Sequence, residues 1–172
     1  MNEDRAIFSD INAHMVSGIM LHDQLYQMFL FLRLYKFAKE QKKRYDEETK
    51  SRRALNKYYI CHRGCLLSDS KVNASSVIPI EWYQKSRYDM QPEDIRKAVN
   101  FALSTWCNWE KETKGFYSVS YHKLFDNGFM AEANYVSKLL DDVDNELAEA
   151  EDLLLYFEAM NFDPIEIMEY NK

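Results

Sequence analysis

Hydrophobic residues recur at steps of three and four in two long stretches of the chain, about 10–66 and 92–161. That spacing puts apolar side chains on one face of an α-helix. Each stretch is interrupted by polar residues, which indicates two helices joined by a turn. Between the stretches, residues 67–91 follow no regular period. The pattern therefore predicts two helical hairpins separated by an irregular crossover of about 25 residues.

The first hairpin has a clear start and end. Ser9 or Asp10 suits the N-cap of the first helix, and Gly64 suits the end of the second. Because the chain becomes polar after Phe37, we expect the turn within residues 40–48. The inward face of the first helix carries Ile11, Met15, Ile19, His22, Leu25, Phe29 and Leu32.

The second hairpin carries stronger boundary signals. Pro92 fits the first turn of a helix, and Glu93 and Asp94 favour the positive end of its dipole. The Asp-Asn-Gly sequence at 126–128 predicts the turn. The following helix shows steps of four and three without interruption, and a capping pattern after it predicts a short fifth helix at about 164–170.

Length and composition agree with a single domain, residues 1–172, built from these helices. Hydrophobic residues make up 47% of the chain, while only 4 Gly and 3 Pro leave little room for the many turns of an all-β fold. A crossover of about 25 residues can run the length of a bundle, so the second and third long helices are expected to be parallel. The predicted fold is all-α, an up-down four-helix bundle with a long crossover between helices 2 and 3.

The sequence predicts a cytoplasmic protein with no membrane partner. Its first ten residues are mostly charged or polar and lack the basic and apolar regions of a secretory signal. The longest apolar run, 25–32, is far shorter than the roughly 20 residues of a membrane span. Three cysteines, Cys61, Cys65 and Cys107, fit a reducing compartment.

Three segments resemble the ferritin-like superfamily, the four-helix bundles of ferritins and rubrerythrins. The sequence QLYQMFLFLRLYKFAKE at 24–40 is similar to the first helix of ferritins. CHRGCLL at 61–67 resembles the end of their second helix, and residues 134–163 resemble their fourth. The resemblance implies a ferritin-like bundle with the crossover described above.

The same resemblance implies a di-iron centre, and the expected ligand motifs are not matched. Members of the family hold iron with a Glu from each of two helices and Glu-x-x-His motifs from others. Here Gln24 stands about where the first Glu is expected, and Arg52 and Arg53 stand near the expected ligands of the second helix. No His has a Glu three residues before it. We therefore expect no ferroxidase centre of the family's type, and no cofactor.

An unorthodox metal site is the alternative to this expectation. His22 and His62 lie on the inner faces of the first two helices, and a turn near residue 44 would place His62 opposite a residue in the twenties, in contact with His22 or Tyr26. Asp23 and either Glu110 or Glu112 would complete a site for iron or another divalent metal. The competing interpretation is a hydrogen-bonded histidine in the core.

Charge is unevenly distributed along the chain. The net charge is −6, yet residues 36–57 hold nine Lys or Arg against four acids, and residues 126–172 hold 13 acids against two lysines. The predicted basic tip of the first hairpin could bind a partner or a phosphate group. Its candidate partner-binding residues are Lys39, Lys42, Lys43 and Arg44.

Three functions follow from these observations. The first is a non-catalytic interaction or structural protein on a ferritin-like scaffold, which self-associates as a homodimer or larger assembly. The second is a metal-binding or oxidant-handling protein with an unorthodox site. The third is a DNA-protecting oligomer that uses the basic tip, although the acidic total disfavours nucleic acid as the main partner. The sequence contains no GxSxG, Walker or HExxH motif, which favours a protein that is not an enzyme.

Overall fold

The computed structural model describes residues 2–73 and 75–172, and these residues form helices and no strand. Four helices are long, and two are short. The helices are α1 (Glu3–Phe31), α2 (Tyr35–Arg63), α3 (Ile80–Tyr83), α4 (Pro92–Asp126), α5 (Met130–Ala159) and α6 (Pro164–Tyr170), with one 3₁₀ turn at Arg87–Asp89. The all-α prediction is confirmed. No helix in the described ranges is long and apolar enough to cross a membrane.

The turn of the first hairpin lies at residues 32–34, so its predicted position within 40–48 is wrong. Arg33 adopts a left-handed conformation with φ of 58°. The amide of Leu34 then donates to the carbonyl of Phe29 at 2.9 Å, which closes the C-terminal end of α1 in the manner of a Schellman motif. The polar stretch 40–48 is part of helix α2. Only a narrow stripe of its side chains faces inward and the others face solvent, so its polarity does not interrupt the helix. Helix α1 also begins at Glu3, earlier than expected.

The second hairpin and the short helix after it form as predicted. Helix α4 begins at Pro92, where Gln91 and Asp94 form a capping box. Gly128 supplies the left-handed residue of the turn, with φ of 79°. Asp163 caps α6, since its carboxylate accepts a hydrogen bond from the amide of Ile165 at 2.7 Å.

Two hydrophobic clusters fill the two ends of the bundle. One combines the C-terminal half of α1 with the start of α2, the start of α4, the end of α5 and α6. The other combines the start of α1 with the ends of α2 and α4 and the start of α5. Helices α2 and α4 therefore run in the same direction, and the crossover returns along the bundle between them.

Gln24 and Arg52 fasten this crossover to the first hairpin. The Gln24 amide bonds the Ser75 carbonyl at 3.1 Å and accepts from the Val77 amide at 2.7 Å. Arg52 bonds Asn12 at 3.0 Å and Asp69 at 3.2 Å. Both residues occupy positions where the family resemblance implies metal ligands, and both hold the crossover instead.

A candidate functional site in the bundle core

The register set by the turn at 32–34 places His22 opposite Gln41. His22 is fully buried, and its Nδ1 lies 2.9 Å from Oε1 of Gln41. Because the amide oxygen can only accept, Nδ1 carries the proton and Nε2 presents its lone pair to the core. Burial lowers the pKa of His22 to about 4, so the ring is neutral at pH 7.

Glu110 on α4 faces this histidine. Its Oε1 accepts a hydrogen bond from Nε1 of Trp106, one turn earlier, at 3.0 Å, and lies 3.8 Å from Nε2 of His22. Neither His22 Nε2 nor Glu110 Oε2 has a hydrogen-bond partner among the described residues. Buried polar atoms are rarely left in that state, and both of these atoms can still accept a proton or a hydrogen bond.

Two more carboxyl groups approach from the remaining long helices. Glu48 extends from α2 and Glu146 from α5, and Glu48 Oε2 is buried without a partner. Burial and the neighbouring carboxylates raise the pKa of Glu48 and of Glu110 to about 8. Burial raises the pKa of Glu146 to about 7. At neutral pH these groups therefore hold protons that exposed glutamates would release.

Arg44 supplies the positive charge beside these groups. Its side chain is only 4% exposed, and its guanidinium bonds Glu47 Oε2 at 3.0 Å and the carboxylate of Glu149 on α5. It also lies over the ring of Trp106 at 5.4 Å. Its charge lowers the pKa of Glu146 and of Glu110 from the values that burial alone would give.

We call this group the central polar cluster. All four long helices contribute to it, so it lies where the two hairpins meet. Its members are His22 from α1, Gln41, Arg44 and Glu48 from α2, Trp106 and Glu110 from α4, and Glu146 from α5.

The central polar cluster does not fit the di-iron centre implied by the family resemblance. Helix α1 contributes a histidine and no carboxylate to the cluster, and Glu48 is not part of a Glu-x-x-His motif, because the residue three positions after it is Ser51. Across residues 2–73 and 75–172, no three His, Cys, Asp or Glu side chains are close enough to hold one metal ion. A carboxylate-bridged pair of ions would also lie beside the fixed charge of Arg44.

Of the metal candidates predicted from the sequence, His22 and Glu110 lie in this cluster, and Asp23, His62 and Glu112 do not. Asp23 accepts a hydrogen bond from Gln27 at 2.8 Å, near the surface. His62 is exposed and stacks on Tyr58, with ring centroids 4.3 Å apart. Glu112 is exposed and lines an open cleft between α1, α4 and the crossover. The expected approach of His22 to His62 is wrong, because His62 lies 21 residues beyond Gln41, roughly 30 Å along α2.

The predicted partner-binding residues divide into two groups. Lys39, Lys42 and Lys43 are exposed, with Lys42 2.7 Å from Asp46 and Lys43 3.9 Å from Glu47. Arg44 is buried and unavailable to a partner. Because α2 begins at Tyr35, these residues lie on its flank, not at the tip of a hairpin.

Comparison with models of known protein families finds none that matches this chain, and comparison with curated protein sequences finds no significant match.

Proposed function

We propose that this chain is a ferritin-like helical scaffold without that family's ferroxidase centre, and that it acts through its surfaces as a non-catalytic interaction or structural protein. The three resembling segments and the shared direction of α2 and α4 support the scaffold. The buried position of Arg44 supports the absence of the centre and carries the proposal.

A metal ion in a carboxylate-lined bundle balances the negative charge of its ligands. In this chain Arg44 performs that role for Glu146, and ion pairs to Glu47 and Glu149 hold it in place. A guanidinium is always charged, so it opposes a divalent ion at the same site at every physiological pH. The remaining negative charge is removed by protons, because the pKa values of Glu48 and Glu110 are about 8.

Aerobic oxidation of ferrous iron tests this proposal. We expect the wild-type protein and its Glu110→Gln variant to oxidise iron no faster than buffer, because no pair of ions is held together. Faster oxidation by the wild type, lost in Glu110→Gln and His22→Ala but kept in Glu112→Gln and His62→Ala, would overturn the proposal. The control variants remove the same chemical groups from exposed positions.

The second candidate is a metal-binding or oxidant-handling protein, and one observation favours it. Each long helix places one carboxyl or imidazole side chain in the cluster, and His22 Nε2, Glu48 Oε2 and Glu110 Oε2 have no hydrogen-bond partner among the described residues. Since no three such groups surround one point in this arrangement, an ion at His22 and Glu110 would require Glu48 or Glu146 to move toward them.

Cobalt(II) separates the two candidates. A bound ion stabilises the folded state, by about 2.7 kcal/mol when its concentration is one hundred times Kd. The second candidate predicts a higher melting temperature and a visible absorption band with cobalt, both lost in Glu110→Gln and kept in Glu112→Gln. The leading proposal predicts neither effect in any of these proteins.

A further inference from the structure

Helices α2 and α5 lie side by side and antiparallel, and three contacts fix their register. The rings of Phe37 and Phe157 are 5.5 Å apart, Arg44 pairs with Glu149, and the rings of Tyr58 and Tyr135 are 4.3 Å apart. Each residue forward along α2 therefore corresponds to one residue backward along α5. This correspondence assigns every exposed residue of the two helices a height along the bundle.

Helix α2 carries a row of cations on the side away from the core. The row follows steps of three and four, with Asp46 filling the one position that is not basic. All six cations are exposed, and the row spans 21 residues, about 31 Å. We call this row the basic stripe: Lys36, Lys39, Lys43, Lys50, Arg53 and Lys57.

Helix α5 carries acids on its exposed side at the same heights. We call these the acidic surface: Asp141, Asp142, Glu149 and Asp152. Two further acids of α5 point the other way, since Asp144 pairs with Lys114 at 2.6 Å and Glu151 with Lys111 at 3.4 Å on α4.

The heights of the two rows match. By the register of α2 and α5, Arg53 lies level with Asp141, Lys50 with Asp142, Lys43 with Glu149, and Lys39 with Asp152. Each match holds within about two residues, roughly 3 Å along the axis. Within one chain Arg44 and Arg63 of α2 pair with acids of α5, whereas no cation of the basic stripe pairs with a described acid of α5.

We propose that the partner of this surface is a second copy of the chain, docked face to face about a twofold axis parallel to the bundle. Rotation about such an axis leaves the height of every residue along the bundle unchanged. The basic stripe of each copy therefore meets the acidic surface of the other, and the interface contains this contact twice. This inference rests on the proposed function, because it names the partner of the scaffold. A polyanion such as DNA suits the surface less well, since the acidic surface would repel its phosphates.

Two charge-reversed variants test the dimer. In a homodimer, Lys50→Glu with Arg53→Glu places acid opposite acid at two of the four matched heights, and Asp141→Lys with Asp142→Lys places base opposite base at the same two. In low salt, light scattering at tens of micromolar should show a wild-type dimer and two monomeric variants, each with Kd raised at least roughly tenfold. An equimolar mixture of the variants should form a heterodimer, because every opposed pair is again of opposite sign.

A matched control on α4, Lys97→Glu with Lys123→Glu, makes the same change in net charge at exposed positions and should remain dimeric. Circular dichroism checks that each variant is folded.

Several results would overturn the inference: a monomeric wild type in low salt, dimers in either variant, or no heterodimer in the mixture. DNA retention by the wild type that is lost in the Lys50 and Arg53 variant alone, without dimers, would favour the polyanion. None of these readouts depends on iron oxidation, so the inference and the proposed function can fail separately.

Discussion

His22 and Glu110 face each other in the middle of the bundle, with Nε2 and Oε1 3.8 Å apart. That separation is too long for a hydrogen bond, and Glu110 Oε1 instead accepts from the indole of Trp106. Gln41 holds the opposite edge of the imidazole. The pair joins α1 to α4, and therefore one hairpin to the other, through groups that are both neutral at pH 7.

The pKa shifts of the cluster predict that stability falls as pH rises above about 6. Carboxyl groups with a raised pKa contribute stability that is fully present below their unfolded pKa of 4.5 and is lost as pH passes about 7 to 8. His22 and His14 act in the opposite sense, because their pKa values fall from 6.5 to about 4, so stability is lost as pH falls through that window. Melting temperatures between pH 4 and 9 should therefore be highest in mild acid.

Glu110→Gln isolates the contribution of one carboxyl group to this pH profile. Glutamine keeps an oxygen for Trp106 and has no proton to lose, so the variant should be more stable than the wild type at pH 8, by roughly 1 to 3 kcal/mol. Glu112→Gln is the matched control, and its profile should follow the wild type. Parallel wild-type and Glu110→Gln curves from pH 6 to 8 would mean that Glu110 does not ionise on unfolding.

Arg44→Met should destabilise the protein strongly. The change removes the counter-charge of the partly buried Glu146 and the charge-assisted hydrogen bonds to Glu47 and Glu149, which water can then solvate, so the expected cost is about 1.5 to 3 kcal/mol at neutral pH. The loss should be smaller near pH 5, where a proton neutralises Glu146, whose pKa is about 7. Lys43→Met, next in sequence and exposed, should change the free energy of unfolding by less than about 0.5 kcal/mol. Equal effects of the two changes in a urea titration would contradict the role given to Arg44.

Gln24→Ala should loosen the crossover without unfolding the bundle. The amide of Val77 donates to Gln24 Oε1, so its hydrogen exchange should accelerate once that acceptor is removed. Gln27→Ala, one turn along α1 and bonded only to Asp23 through its side chain, is the control. If exchange at residues 75–77 is unchanged in Gln24→Ala, the crossover is held by other contacts.

Phe157→Ala should cost about 3 to 5 kcal/mol, because this ring is completely buried among Phe37, Phe162 and Tyr170. Leu155→Ala, two residues earlier and 60% exposed, should cost much less. Chemical denaturation of both variants gives the comparison. Similar losses would place Leu155 in an interface that the single chain does not contain.

The helices of the second hairpin could be predicted because their boundaries carry specific residues. Pro92 suits the first turn of a helix, where its missing N–H is not needed, and Gly128 adopts a left-handed conformation that few other residues favour. The turn of the first hairpin lacks such a signal, since Arg33 adopts the left-handed conformation and hydrophobic residues flank it. The polar stretch at 40–48 therefore carries stronger turn signals in the sequence than residues 32–34, where the turn lies.

Because the predicted position of the first turn is wrong, most of the central polar cluster could not be predicted from the sequence. Moving the turn from about residue 44 to residue 33 changes the partner of His22 from His62 to Gln41. Glu48 and Glu146 lie within runs of charged residues, and only the correct register shows which acid of each run faces inward. Glu110 is one of two candidate carboxylates in the sequence, and its identity as the one that faces His22 depends on the packing of α1 on α4.

The central claim is that Arg44 and bound protons, without a metal, balance the charge of the central polar cluster. Native mass spectrometry of protein purified without chelator, before and after anaerobic addition of ferrous iron, tests it most directly. The account predicts the mass of the metal-free chain, or of its dimer, in both samples. One or more ions retained per chain in the wild type and in Glu112→Gln, but lost in His22→Ala and Glu110→Gln, would contradict it.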